Sequence, residues 1–242
     1  MVGSDQVFTA RLAAGLDGLV SLERLGLWGY VTRTALRHIT PIPDLAVLHI
    51  NTLRGPGRLE YFAQMQALRE ISANWGVVAE DLLEILQAPK LQKLMAHYAR
   101  VTPAVADALG ATSLHLDLEG ATIDDDIAAI LGRSRTIAGL EIADTELTGR
   151  GLRHLCGMKQ LRMLDVWATR IEAADLECLA ELPALTYFSL GIERPGFQAK
   201  DIIPHLLRLA PLEQLWLDGF ALTEAEIEAL KARHTLRWNP PL

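Results

Sequence analysis

One leucine phase constrains this chain more than any other feature. Leucine supplies 43 of the 242 residues, about twice average usage. Its spacing is fixed rather than scattered. Ile137-Ala138-Gly139-Leu140-Glu141-Ile142, followed by Leu147, sets a template with aliphatic residues at positions 1, 4, 6 and 11. Leu161, Leu164, Val166 and Ile171 repeat it, then Leu185, Phe188 and Leu190, then Leu212, Leu215, Leu217 and Leu222. Backwards, the template continues through Leu116, Leu94, Ile71, Leu48 and Leu25 at position 4. Start-to-start spacings from Leu22 are 23, 23, 23, 22, 24, 24, 24, 27 and 24, ending at Leu236. A unit this short cannot bury its apolar side alone, so the units must stack.

The second half of each unit carries apolar residues three apart, as on one helix face. Examples are Leu83 and Leu86, Leu152 and Leu155, Leu176 and Leu179, Ile227 and Leu230. Thr102-Pro103 reads as a cap followed by Pro at the first helical position. Thr223 and Glu226 read as a capping box. Each unit is therefore expected to be strand, turn and helix.

These residues resemble the leucine-rich repeat family, whose pattern is L-x-x-L-x-L-x-x-N/C-x-L. The resemblance spans residues 22 to 242. It implies an α/β fold: a right-handed solenoid of about ten repeats, with parallel strands on the concave face and helices on the convex face. A single domain over 1–242 is expected, with a capping helix at 1–21, repeats over 22–235 and a C-terminal cap at 236–242. Phe8, Leu12, Leu16 and Leu19 supply the spacing of that capping helix. The family's Asn or Cys at position 9 is missing; Tyr30, Leu53, Gly76, Ala99, Ala121, Thr145, Thr169, Glu193 and Phe220 stand there. The backbone groups it normally bonds must find other backbone or water.

In the implied geometry positions 1, 4 and 6 point inward, and positions 3, 5, 7 and 8 line the concave face. Position 5 then presents Asp117, Glu141 and Asp165 on successive strands; like charges there repel and invite a cation. Glu119, Asp144 and Asp218 add to the acid. Trp28, Trp75, Tyr98 and His115 lie before that centre, and Trp167, Tyr187 and Trp216 at and after it. All five tryptophans, Trp238 included, count onto this face. Indole is enriched at binding hot spots, although each ring could equally lie flat on its neighbouring strand. Three extra residues in the eighth unit predict a protruding loop over 191–197.

Net charge is −7, from 30 acidic and 23 basic residues. That argues against nucleic acid, which needs a basic stripe. No run approaches the roughly 18 apolar residues of a membrane span. The first twenty residues show no basic start followed by an apolar stretch. Cys156 and Cys178 are too few for a disulfide framework or a thiolate zinc site, and free buried thiols in a cytoplasmic protein are expected. No phosphate-binding, dinucleotide, zinc-protease or serine-hydrolase motif is present. His97 and His115 count about 13 Å apart along the strands, too far to share a metal. An open arc gives Asp117 and Glu141 no burial to raise a carboxyl pKa, which argues against glycoside chemistry.

The expectation is thus a non-enzymatic module with no cofactor and no metal. It would bind a protein with a basic surface through ion pairs and cation–π contacts. Toxin-neutralising immunity proteins of bacteria offer a fold-level analogy. Carbohydrate binding on the Trp/Asp surface is the alternative.

Overall fold

The structure is a computed structural model and describes residues 7–191 and 197–241. Its strands form one sheet whose order follows the chain, and every described pairing is parallel. The chain divides into two compact units: Met1–Leu109 with Leu114–Ala121, and Gly110–Ser113 with Thr122–Leu242.

The first unit contains β1 (Val7–Phe8), α1 (Ala10–Ala13), β2 (Arg24–Thr32), β3 (Val47–Arg54), β4 (Glu70–Trp75), α2 (Ala79–Ile85), β5 (Lys93–Met95), α3 (from Pro103) and β6 (His115–Asp117). Register follows the leucine phase. Leu25 pairs with Leu48, Leu48 with Ile71, Ile71 with Leu94 and Leu94 with Leu116, all at position 4. Leu48, Ile71, Leu94 and Leu116 are fully buried, each such burial contributing about 2–3 kcal/mol. On the helix side the buried pair of α2 is Leu82 and Ile85, while Leu83 is exposed. The expected pair, Leu83 and Leu86, is therefore displaced by one residue. Asp81, whose buried carboxylate accepts the Val78 N–H, anchors the first turn of α2. Helix α3 begins at Pro103 as expected, and Thr102 Oγ1 accepts the Val105 N–H at 3.4 Å.

The expected helix over 1–21 is not the whole of the described N-terminal segment. Only Ala10–Ala13 is α-helical, with a 3-10 turn over Ala14–Leu16. Val7 and Phe8 instead pair with Tyr30 and Val31. The edge of β2 presents unpaired backbone groups, and a short strand satisfies them where a helix could not.

The second unit contains α4 (Asp125–Leu131), β7 (Gly139–Glu141), α5 (Gly149–Leu155), β8 (Met163–Asp165), β9 (Tyr187–Gly191), α6 (Ala199–Leu206), β10 (Gln214–Asp218), α7 (Glu224–Lys231) and β11 (Leu236–Asn239). A 3-10 segment, Ala173–Glu181, takes the place of one helix. Leu140, Leu164, Phe188 and Leu215 pair in sequence at position 4 and are fully buried. The capping box of α7 forms as read: Thr223 N–H donates to Glu226 Oε2 at 2.8 Å, and Glu226 N–H to Thr223 Oγ1 at 3.3 Å.

Two expectations change in this unit. Leu236 pairs with Leu215 and Trp238 with Leu217, so Leu236 occupies position 4 rather than position 1. Trp238 therefore sits at an inward position, its indole N–H donating to Phe220 O at 2.7 Å, and it leaves the set of face tryptophans. Cys156 and Cys178 are not free thiols. They are bonded, with Cα atoms 5.9 Å apart, inside the usual span for a disulfide. Two positions out of phase on consecutive repeats still leaves the side chains adjacent. The cysteine argument for a reducing compartment loses its support. Among the described residues no helix is long and apolar enough to cross a membrane.

His234 ties the end of this unit together. Leu212 N–H donates to its Nδ1 at 3.1 Å, which leaves Nε2 as the donor to Leu206 O, also at 3.1 Å. Burial, with nearby Arg233, pushes its pKa below 6.5 against the Leu206 bond. The folded state thus holds a neutral ring that the unfolded state protonates first. Stability is full above about pH 6.5 and falls as pH drops through that value toward the folded pKa. We expect calorimetric melting temperature to fall on acidification over this window in the native chain. His234→Gln should flatten that dependence; an unchanged slope would refute the role.

Candidate functional site

The turn that ends each strand decides what the strand face displays. In the first unit Tyr98, at position 8, has φ 56°; in the second, Asp144 and Ala168 at the same position have φ 53° and 55°. These are left-handed conformations that non-glycine residues adopt at a cost of about 1 kcal/mol or more. The Tyr98 N–H donates to Glu119 O and the Asp144 N–H to Trp167 O, each at 2.8 Å. The turn thereby prolongs the ladder beyond the short strands. In the second unit, Thr145 and Thr169 at position 9 also donate their hydroxyls to the carbonyls of Ile142 and Val166, both at 2.8 Å. The missing Asn/Cys ladder is thus replaced by backbone and by two threonines.

On the first unit, Trp28 sits where the β2–β3 register slips, between Leu27 and Tyr30. Gly29, at φ 90°, supplies the conformation a bulge of this kind requires. The bulge throws Trp28 outward, and it is 81% exposed. Trp75 and Tyr98 stack with centroids 3.9 Å apart and planes 10° from parallel. Both remain accessible, at 47% and 41%. Tyr98 also covers Gly120, where a Cβ would collide with its ring. His97 Nε2 lies 3.0 Å from Asp117 Oδ2, with Glu119 beside them. His115 pairs with Lys93 at position 3.

On the second unit, Glu141 and Asp165 stand opposite one another on β7 and β8, and Asp165 stands opposite Ser189 on β9. Tyr187 is half-buried near them. Burial and then the charges of Asp165 and Glu141 raise its phenol pKa, against a hydrogen bond with Ser189. Two carboxylates therefore act on one hydroxyl. Trp167 lies over Gly191, where a Cβ would collide with the indole, and its Nε1–H donates to Asp218 Oδ2 at 3.3 Å. Asp165 Oδ1 accepts the Trp167 N–H at 2.9 Å. Trp216 pairs with Ser189 and is half-buried. Asp144 is exposed on its turn. Trp167 thus packs along neighbouring strands while Trp28, Trp75 and Tyr98 are displayed. The expected loop over 191–197 falls almost wholly on 192–196, outside the described residues.

Counting overlooked a second acidic series, on the helix side. Asp81 accepts Arg33 Nε at 3.0 Å and Nη2 at 2.6 Å, and the Val78 N–H at 3.1 Å. Asp125 accepts the Thr148 N–H at 2.8 Å, Thr148 Oγ1 at 2.7 Å and the Gly151 N–H at 3.1 Å. Burial raises the Asp125 pKa, but the bonds from Thr148, Arg150 and Gly151 outweigh it and hold the carboxyl below its usual value. Asp175 accepts the Glu172 N–H at 2.9 Å and Arg153 Nη1 at 3.1 Å. These carboxylates cap helical segments and tie neighbouring repeats, so they serve the scaffold.

No protein-family model matches this sequence, and no curated protein sequence matches it. The structure is similar to the crystal structure of an internalin (inlF) from Listeria monocytogenes str. 4b F2365. The TM-score is 0.55 and identity 19%, over 93% of this chain and 72% of that one. Together with the all-parallel sheet and alternating helices, this establishes the fold as a leucine-rich-repeat α/β solenoid.

Proposed function

We propose that this protein is a non-enzymatic recognition module that captures a protein partner with a basic surface through the face of its strands. The observation that carries the reading is the Glu141–Asp165 pair with Tyr187 beside it. Register holds the two carboxylates opposite one another, and Tyr187 faces Met163 beside them on the next strand. A guanidinium or ammonium from a partner would relieve their repulsion. Asp144 adds charge, and Trp167, oriented by Asp218, with Trp216 adds the flat apolar area on which such cations rest. On the first unit Asp117, Glu119 and His115 share the face with Trp28, Trp75 and Tyr98. Stacked repeats present surfaces rather than enclosed pockets, which suits recognition of another protein. Neutralisation of a basic toxin is the most specific form of this reading.

Stacked Trp75 and Tyr98, flat and accessible beside Asp117 and Glu119, favour a second reading, a carbohydrate laid on the aromatic shelf. Salt separates the two. Charge-steered capture should lose association rate steeply with ionic strength, whereas a stacked sugar should be nearly insensitive.

Glu141→Gln with Asp165→Asn removes the like charges while keeping a side-chain oxygen for the Trp167 N–H, and is expected to leave the melting temperature nearly unchanged. Capture of the basic partner should slow by about tenfold or more, measured by surface plasmon resonance at low salt. Unchanged capture would reduce the pair to a solvated face.

A further inference from the structure

We propose that His97, Asp117 and Glu119 form a binding site for a divalent transition-metal ion, with zinc the best match, on the strand face of the first unit. Each of the three offers one donor atom, and those atoms all lie within 4.8 Å of one another. His97 Nε2 lies 3.0 Å from Asp117 Oδ2. Donors about 2.1 Å from a tetrahedral zinc stand about 3.4 Å apart, so small side-chain adjustments bring this group onto one ion. Counting had set His97 against His115, too distant to share a metal. The partners it finds are the carboxylates of the next strand and its turn.

The backbone holds these donors in place. The Ala96 N–H donates to Asp117 O and the Tyr98 N–H to Glu119 O, each at 2.8 Å. These bonds clamp the residues on both sides of His97 to the residues that carry the two carboxylates. The Glu119 N–H also points at Asp117 Oδ1, at 3.5 Å, which leaves Oδ2 toward the imidazole. Next to His97 in the chain, Tyr98 is locked over Gly120 and stacked on Trp75, which further fixes this turn. A donor set held on rigid backbone is what a metal site needs to be preorganised.

Donor chemistry selects the ion. One imidazole nitrogen and two carboxylate oxygens suit zinc and its first-row neighbours. Calcium takes six to eight oxygens and magnesium keeps octahedral oxygen shells, so neither matches. Three protein ligands leave a coordination position open to water or to a group from a bound molecule. Asp117 and Glu119 also belong to the face of the partner reading, but zinc binding to the isolated chain is tested without any partner and stands or falls separately.

Calorimetric titration of the full, untagged, chelator-treated chain with zinc chloride tests it. The expected result is one zinc per chain, with cobalt chloride producing the visible absorption of a low-symmetry N/O site. His97→Ala and Glu119→Gln should each weaken zinc by more than about 100-fold, beyond the usual loss for an outer-shell partner. His154→Ala, on a helix of the second unit, should leave the isotherm unchanged. Zinc should also raise the melting temperature of the native chain and not of Glu119→Gln. That conservative variant keeps the carboxylate's shape and so serves if His97→Ala fails to fold. No saturable heat with zinc, or one-to-one binding that survives either variant, would overturn the site.

Discussion

Asp81→Ala is expected to destabilise the first unit by about 3–5 kcal/mol, the cost of breaking a buried pair from one side. Asp81 is 1% exposed and Arg33 9%. The guanidinium makes a two-point contact with the carboxylate and donates two of its other three hydrogens to Gly55 O at 3.0 Å and Gly76 O at 2.7 Å. One side chain thus links the first three repeats. Removing Asp81 leaves a buried cation with carbonyls alone, and frees the Val78 N–H at the start of α2. Replacing both partners together, Arg33→Met with Asp81→Leu, should recover a large part of the loss, because the residual charge is gone. Urea unfolding followed by tryptophan emission reports on this, since Trp28 and Trp75 lie in the same unit. A loss below about 1 kcal/mol for Asp81→Ala would mean that the pair merely fills space.

Strand register was legible because parallel pairing sets equal positions of successive repeats side by side, so the leucine phase and the sheet are one fact. That is why Leu25 to Leu116 and Leu140 to Leu215 fall where counting places them. Counting fails at the last repeat, where one leucine stands alone. Leu215 and Leu236 are 21 residues apart yet paired, and a lone leucine cannot show which slot it fills. The alternation of Leu236 and Trp238 fits positions 4 and 6 as well as 1 and 3, and only the pairing partner decides. Trp28 was hidden differently: the bulge at Gly29 puts one extra residue into β2, so that Tyr30 pairs with Thr52, one position off its own number. The helix-side carboxylates escaped because Asp81, Asp125 and Asp175 sit at positions 14, 13 and 15, and an aliphatic template has no slot for them. Of the candidate face residues, sequence shows which strand and which side. It does not show that Trp167 reaches Asp218 two repeats on, or that His97 turns toward Asp117. Side-chain rotamers on a shared face depend on neighbours from other repeats.

Reduction of the Cys156–Cys178 bond is expected to cost the second unit about 3 kcal/mol, the loop entropy that a 22-residue separation confines. The two faces of a repeat are held differently. Along the strands, backbone hydrogen bonds join each repeat to the next; on the helix side, among the described residues, packing and side-chain bonds such as Arg153 to Asp175 carry the join. Cys156 ends α5 and Cys178 lies within Ala173–Glu181, so the bond staples consecutive repeats on the side that lacks a ladder. Lys159 reinforces the same join, its Nζ donating to Glu181 O at 2.9 Å. Thiol titration of the denatured, unreduced chain should find no free thiol among the two cysteines. Calorimetry with and without reductant should show a lower melting temperature on reduction, and Cys156→Ala with Cys178→Ala should match the reduced protein and ignore reductant. Two titratable thiols in protein purified without reductant, together with a melting temperature that reductant does not move, would restore the free-thiol expectation. The compartment argument would then return to a reducing one.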